Sequence, residues 1–226
     1  MTDLPKGITF RDETVDRPIW HESIDLNCYR LPEAFSPDDI FLDIGSHTGS
    51  VTWLAATRGA KVFAVEACRG NFALLLKHIE EIEDKVVPIH AACWRSDQGL
   101  ATLRFSKNWH PANTGGGCTM EGAGIYDVTT IALDDILRLV GEARFCKMDV
   151  EGAEMPILFS AKELRRIKEM AIEYHERPEY RHEIANVGPA FTVANLAWHI
   201  KSHGFFVEVE PKGPGMGLLF AKREER

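Results

Sequence analysis

Six side chains in this sequence stand where a carboxylate or an imidazole could do chemistry: Asp43, Glu66, Asp149, Glu151, Glu173 and His175. Each lies at or just past the end of a short apolar run of strand character, as Ile40-Phe41-Leu42 precedes Asp43 and Met170-Ala171-Ile172 precedes Glu173. If those runs are parallel strands their ends share one rim, which is where open α/β sheets hold a ligand. A carboxylate on such a rim can accept hydrogen bonds from both hydroxyls of a ribose, and the position of Glu66 suits that task. A carboxylate or histidine can also take the proton of a reacting hydroxyl near neutral pH. Asp149 is the first candidate for that base or for positioning an acceptor, followed by Glu151, Glu173 and His175.

Structural roles compete with each assignment. Asp43 could simply cap the following turn, yet an acid at the end of a buried strand is costly unless paired, and a ligand role is the expectation. Glu151 and Glu154 lie near a helix start, where the helix dipole favours negative charge; for Glu154 that account suffices. Lys147 precedes Asp149 by two residues and shares its face, either as an ion-pair partner or as a cation holding substrate. His175-Glu176 with His182-Glu183 does not have H-E-x-x-H spacing, so no zinc site follows.

The turn after Asp43 reads Ile44-Gly45-Ser46-His47-Thr48-Gly49, with helix-compatible residues from Val51 onward. Strand, glycine turn and helix make a nucleotide-binding start, and Glu66 closes a second apolar run about twenty residues on, as a ribose-binding acid should. His47 stands where the dinucleotide fingerprint G-x-G-x-x-G needs its second glycine. A bound diphosphate is therefore disfavoured, while a nucleoside without phosphates remains open, S-adenosylmethionine being the common one.

The elements that must place these groups follow from periodicity. Residues 71–82 carry Phe72, Leu75, Leu76, Ile79 and Ile82 at helical spacing. Residues 86–91 form a third strand, whose Pro88 points to a sheet edge, completing the βαβαβ half of a doubly wound α/β sheet. Residues 100–105 suit a short strand, 126–131 another, 133–140 a helix, 143–150 the fourth main strand, with a helix from about Glu151 that tolerates Pro156 in its first turn. A strand at 170–175 and a helix at 192–203 follow, with 177–186 charged and at the surface. Residues 205–210 and 216–221 are joined by Pro211-Lys212-Gly213-Pro214-Gly215, too short for a parallel crossover, so they form an antiparallel hairpin. Residues 1–38 read as an N-terminal strap that could also wall a substrate cleft, ahead of a domain at 39–226. Residues 107–124, with three consecutive glycines and Trp109, His110 and Asn113, read as a lid.

At 226 residues the chain can bury one sizeable core. Its net charge of −8, without a clustered basic face, argues against nucleic acid. Five scattered cysteines with no C-x-x-C pair fit a reduced, cytoplasmic protein. No signal peptide or membrane-spanning stretch is read.

Taken together, the motifs resemble the FkbM-type S-adenosylmethionine-dependent methyltransferases. The resemblance rests on Phe41-Leu42-Asp43-Ile44-Gly45 with Gly49, Val65-Glu66-Ala67 with Asn71-Phe72, Ala91-Ala92 with Gly99, and Thr129-Thr130-Ile131-Ala132-Leu133-Asp134-Asp135. Most specific is Lys147-Met148-Asp149-Val150-Glu151-Gly152-Ala153-Glu154, followed by Leu158, Ala161, Ile172-Glu173 and Gly204-Phe205. His47 stands where that family commonly has Asn, and Ala67 where it has Pro. The resemblance implies a Rossmann-like class I methyltransferase fold, α/β with a mostly parallel sheet, a C-terminal antiparallel hairpin and helices on both faces. It implies S-adenosylmethionine held by Asp43, Gly45, His47, Gly49, Glu66, Ala67 and Ala92, and O-methylation of a hydroxyl on a sugar or other small metabolite. The acid and imidazole cluster could hold a divalent cation, as in some small-molecule O-methyltransferases, but transfer without metal is the expectation. Two rivals remain: an NAD(P)-dependent oxidoreductase, and a catalytically inactive methyltransferase fold that only binds.

Overall fold

Strands and helices alternate along the chain as the hydrophobic pattern requires. The computed structural model describes residues 4–105, 112–116, 126–176 and 190–223. A short helix α1 (Asp16–Trp20) precedes β1 (Ile40–Ile44), α2 (Ser50–Thr57), β2 (Lys61–Glu66), α3 (Arg69–His78) and β3 (Val86–His90). Next come β4 (Ala92–Trp94), β5 (Thr102–Phe105), β6 (Tyr126–Ala132), α4 (Leu133–Val140), β7 (Ala143–Met148) and α5 (Glu154–Ser160). The chain closes with β8 (Ile167–His175), α6 (Val193–Ser202), β9 (Phe205–Gly213) and β10 (Met216–Arg223).

The main sheet has seven strands in the order β3-β2-β1-β7-β8-β10-β9. The first five are mutually parallel, whereas β10 runs antiparallel to both β8 and β9. The expected hairpin is therefore present, with its second strand inserted between β8 and the first. Both strands run further into the connection than periodicity indicated, leaving Pro214-Gly215 as the link, with Gly215 at φ +70°. As Pro88 suggested, β3 is an edge strand.

Alternation along the strands divides the core between the faces. Leu42, Ile44, Phe63 and Val65 pack with Ile136 of α4, Ile157 of α5 and Leu196 of α6. Phe41, Val62 and Ala64 instead meet Leu54 of α2, Leu75 of α3 and the strap residues Tyr29, Leu31 and Phe35. Trp20 of the strap packs on Phe10 and Trp53, with ring centroids 5.9 and 5.7 Å away.

Two local expectations need correction, and one small sheet was not foreseen. The helix read at 71–82 stops at His78 and passes into a 3-10 segment, Glu80–Lys85, that kinks at Ile82, while Ile79 and Ile82 both pack against the core. The helix read from Glu151 begins at Glu154, because Glu151 and Gly152 adopt left-handed φ values of +56° and +105°. Finally, β4, β6 and β5 form a separate small sheet, β6 pairing parallel to β4 and antiparallel to β5. Of the lid at 107–124 only 112–116 are described, and 177–186 lie outside the described residues.

Candidate active site

Gly45 leaves β1 at φ +78°, and a Cβ on it would lie 1.7 Å from the carbonyl oxygen of Asp149, so only glycine lets β1 and β7 end side by side here. The N–H groups of Gly45 and Ser46 both donate to the carbonyl of Val65, which fixes the turn over β2. His47 follows at φ +52°, a left-handed conformation that Asn and His tolerate better than most residues. Either of those residues at this position thus has a backbone reason.

The backbone N–H of His47 donates to Glu66 Oε2 at 2.8 Å, and that of Cys68 donates to Oε1 at 2.6 Å. Each oxygen keeps capacity for a further donor. Burial pushes the Glu66 carboxyl up to about 7, against the pull of those two N–H groups. The His47 ring turns towards the strap. Thr114 donates its single hydroxyl proton to Asp16 Oδ1 at 2.7 Å, so His47 Nε2, 3.0 Å from that hydroxyl, is the donor to it. Burial pushes the His47 imidazole down to about 4, and it stays neutral.

Asp43 does not reach the cleft. It shares the face of Phe41, is fully buried, and accepts a hydrogen bond from Thr52 of α2 at 2.6 Å. Its register partner on β7 is Lys147, whose ammonium lies 3.5 Å from Asp43 Oδ1 and donates to the carbonyl of Gly45 at 2.5 Å. The expected direct ligand role is thereby corrected: Asp43 holds Lys147 and the turn from behind. Lys147 lies in the middle of the sheet, 5.3 Å from the ring centroid of Tyr29. Gly49 is likewise behind the wall, where a Cβ would fall 2.5 Å from Leu75 Cδ1.

At the ends of β7 and β8 the acids converge. The Tyr29 hydroxyl stands 3.1 Å from Asp149 Oδ2 and 3.2 Å from Glu173 Oε2, sharing one proton between two carboxylates. Burial, with Asp149 next, raises the Glu173 carboxyl. Burial and the neighbouring Asp149 charge push Glu151 up to about 8. Glu154, fully buried, accepts backbone N–H groups of Val150 and Gly152 at 3.0 and 3.1 Å, which closes the turn before α5. The same carboxylate lies 3.2 Å from His175 Nδ1, leaving Nε2 3.8 Å from Glu151. Burial opposes protonation of His175, but Glu154 and then Asp149 and Glu151 outweigh it and push the imidazole up to about 10.

One cleft of about 800 Å³ joins these groups, running from Glu66, His47, Ala67 and Ala92 past Gly45 to Asp149, Glu151, Glu173 and His175. Every expected site residue lines it except Asp43 and Gly49. The strap contributes a wall through Val15, Ile19, Glu22 and Tyr29. Tyr29 is the site residue the motifs missed, because among the aromatics of residues 1–38 no local pattern marks the one that contacts Asp149, 120 positions away. The lining is acidic, with Lys147 already engaged by Asp43. That charge opposes a diphosphate and favours a ligand bearing a positive centre.

This strand order, with its inserted antiparallel strand, is that of the class I methyltransferase fold. Precorrin-6y C5,15-methyltransferase from Geobacter metallireducens shares the fold at a TM-score of 0.52, with 12% identity over 97% of this chain and 95% of its own. A Streptococcus pneumoniae protein provisionally assigned as a tRNA methyltransferase also gives 0.52, at 13% identity over 90% of this chain and 71% of its own. Residues 43–207 match the methyltransferase FkbM domain, and the chain belongs to that family. No curated protein sequence matches it. Among the described residues no helix is long and apolar enough to cross a membrane.

Proposed function

We propose that this protein transfers the methyl group of S-adenosylmethionine to a hydroxyl oxygen of a sugar or other small metabolite. The observation that carries the reading is a single cleft with a ribose-type acid, Glu66, at one end and a proton-accepting rim, Asp149 with Glu173, at the other. The donor fits the residues present. Glu66 has one acceptor site left on each oxygen for two ribose hydroxyls, Ala67 and Ala92 offer apolar walls, and the acidic lining suits a sulfonium cation.

S-adenosylmethionine brings an already activated methyl group, so the chain's own work is mainly to align the acceptor oxygen and receive its proton. Asp149 takes that proton: its Oδ1 is buried without a hydrogen-bond partner, while Oδ2 is held by Tyr29. Glu173, bound to the same hydroxyl, and Glu151 accept hydrogen bonds from further hydroxyls of the acceptor. The acidity of the cleft is unfavourable for a phosphate-bearing polymer, which supports a small polyhydroxylated acceptor over RNA. The test is a screen of sugars and hydroxylated metabolites with methyl-labelled S-adenosylmethionine, reading the modified atom by mass spectrometry. Label on oxygen supports the assignment; label on nitrogen or carbon, or on RNA alone, refutes it.

A further inference from the structure

We propose that Asp149, Glu151 and His175 form a binding site for one divalent metal ion at the acceptor end of the cleft. Sequence reasoning favoured transfer without metal; the geometry points the other way. One donor atom from each of the three lies within 4.8 Å of the other two. Around a cation with bonds of ~2.1 Å, adjacent ligands stand about 3 Å apart and opposite ones about 4.2 Å. The His175 Nε2 to Glu151 Oε2 separation of 3.8 Å already falls in that range, so modest side-chain shifts would close the site.

Two independent observations make this more than a group of acids. The first is the orientation of His175. Glu154 is fully buried, is fixed by two backbone N–H groups, and engages Nδ1, so that Nε2 is left towards Glu151. A buried carboxylate on one ring nitrogen, with the other presented to a cluster of donors, is how proteins set the tautomer and angle of a metal-binding histidine. The second is Asp149 Oδ1, a buried carboxylate oxygen without a hydrogen-bond partner. Metal ligation would satisfy it.

Glu151 is set for the same purpose by the backbone. Its φ of +56°, followed by Gly152 at +105°, lifts it out of the start of α5 and into the cleft. Tyr29 and Glu173 complete the surroundings, the tyrosine holding the second oxygen of Asp149. Two carboxylates with one imidazole suit a cation that accepts both oxygen and nitrogen ligands, of which Mn2+ is a convenient representative. The site stands on the cleft alone; its use, binding the acceptor hydroxyl and making it more acidic, rests on the methyl-transfer reading, and with Asp149 on the metal the proton passes to Glu173 instead.

The experiment is Mn2+ titration of chelator-stripped full-length protein by electron paramagnetic resonance. It compares the native chain with Glu151→Gln and His175→Gln, and S-adenosylhomocysteine affinity is measured on each as a separate control of folding and of the cofactor pocket. The expected result is one Mn2+ per chain, weakened by about a hundredfold or more in either variant, with S-adenosylhomocysteine binding kept. No Mn2+ bound by the native chain at millimolar concentration overturns the proposal and leaves His175 as the counter-charge of the cluster. Unchanged Mn2+ binding in both variants overturns the location. Mn2+ bound at this site by a chain that ignores S-adenosylhomocysteine would uphold the metal site and sink methyl transfer.

Discussion

Glu66 illustrates how a single buried acid links pH to ligand affinity. Its folded pKa of about 7 lies above the ordinary 4.5, so the unliganded fold is most favoured with the proton on and loses stability as pH rises between those values. A ribose donating hydroxyls stabilises the ionised form, so affinity for S-adenosylhomocysteine should rise by about tenfold from pH 6 to pH 8. Calorimetry at both values checks this, and Glu66→Gln should flatten the dependence; a native chain with flat affinity would remove the ribose role. Tyr29→Phe keeps the ring beside Lys147 but deletes the proton shared by Asp149 and Glu173. Turnover should fall by about tenfold with S-adenosylhomocysteine affinity nearly unchanged, and equal losses in both would place Tyr29 in the cofactor site instead. The place of Glu66 and Asp149 on the rim was legible because each ends an apolar run. Asp43 was expected at the ligand, although alternation already puts it with Phe41, on the face that α2 covers. Asp43→Ala should therefore act through stability, costing about 3–5 kcal/mol by stranding the Lys147 charge, as denaturant titration would show.

At the scale of elements, the site exists because β1 and β7 end together and their following turns swing apart around Gly45. Gly45→Ala drives a Cβ into the Asp149 carbonyl and demands a left-handed alanine. The variant should fail to fold or melt far below the native chain, and a circular dichroism melt within a few degrees of native would contradict the close approach. The hairpin of β9 and β10 was readable because a short glycine-proline link permits no crossover, although the strand order was not: insertion between β8 and β9 is settled by pairing across the sheet. The left-handed pair Glu151-Gly152 escaped for a different reason. A proline two residues into α5 marks a helix start only to within a turn, and the buried Glu154 carboxylate decides where it falls.

Across the whole molecule, one charge network ties the strap to the turn after β1. Asp16 is almost fully buried; burial alone would raise its pKa, but Arg11 and Thr114 hydrogen bonds hold it well below the usual carboxylate range. Arg11 extends the network to Asn71 of α3, and Thr114 extends it to His47. Asp16→Ala should lower the melting temperature by several degrees and raise hydrogen exchange across residues 8–30 while β1 and β7 stay protected; uniform exchange would deny the strap a separate role. Nothing in residues 1–38 announced this, since the contacts span 60 to 98 positions and no local period encodes them. The account as a whole stands on a phosphate-free adenosyl ligand in an acidic cleft. Calorimetry of the purified chain against S-adenosylhomocysteine and against NADH tests it most directly: one S-adenosylhomocysteine per chain with no heat from NADH is the predicted result, and saturable NADH binding with no response to S-adenosylhomocysteine would contradict it.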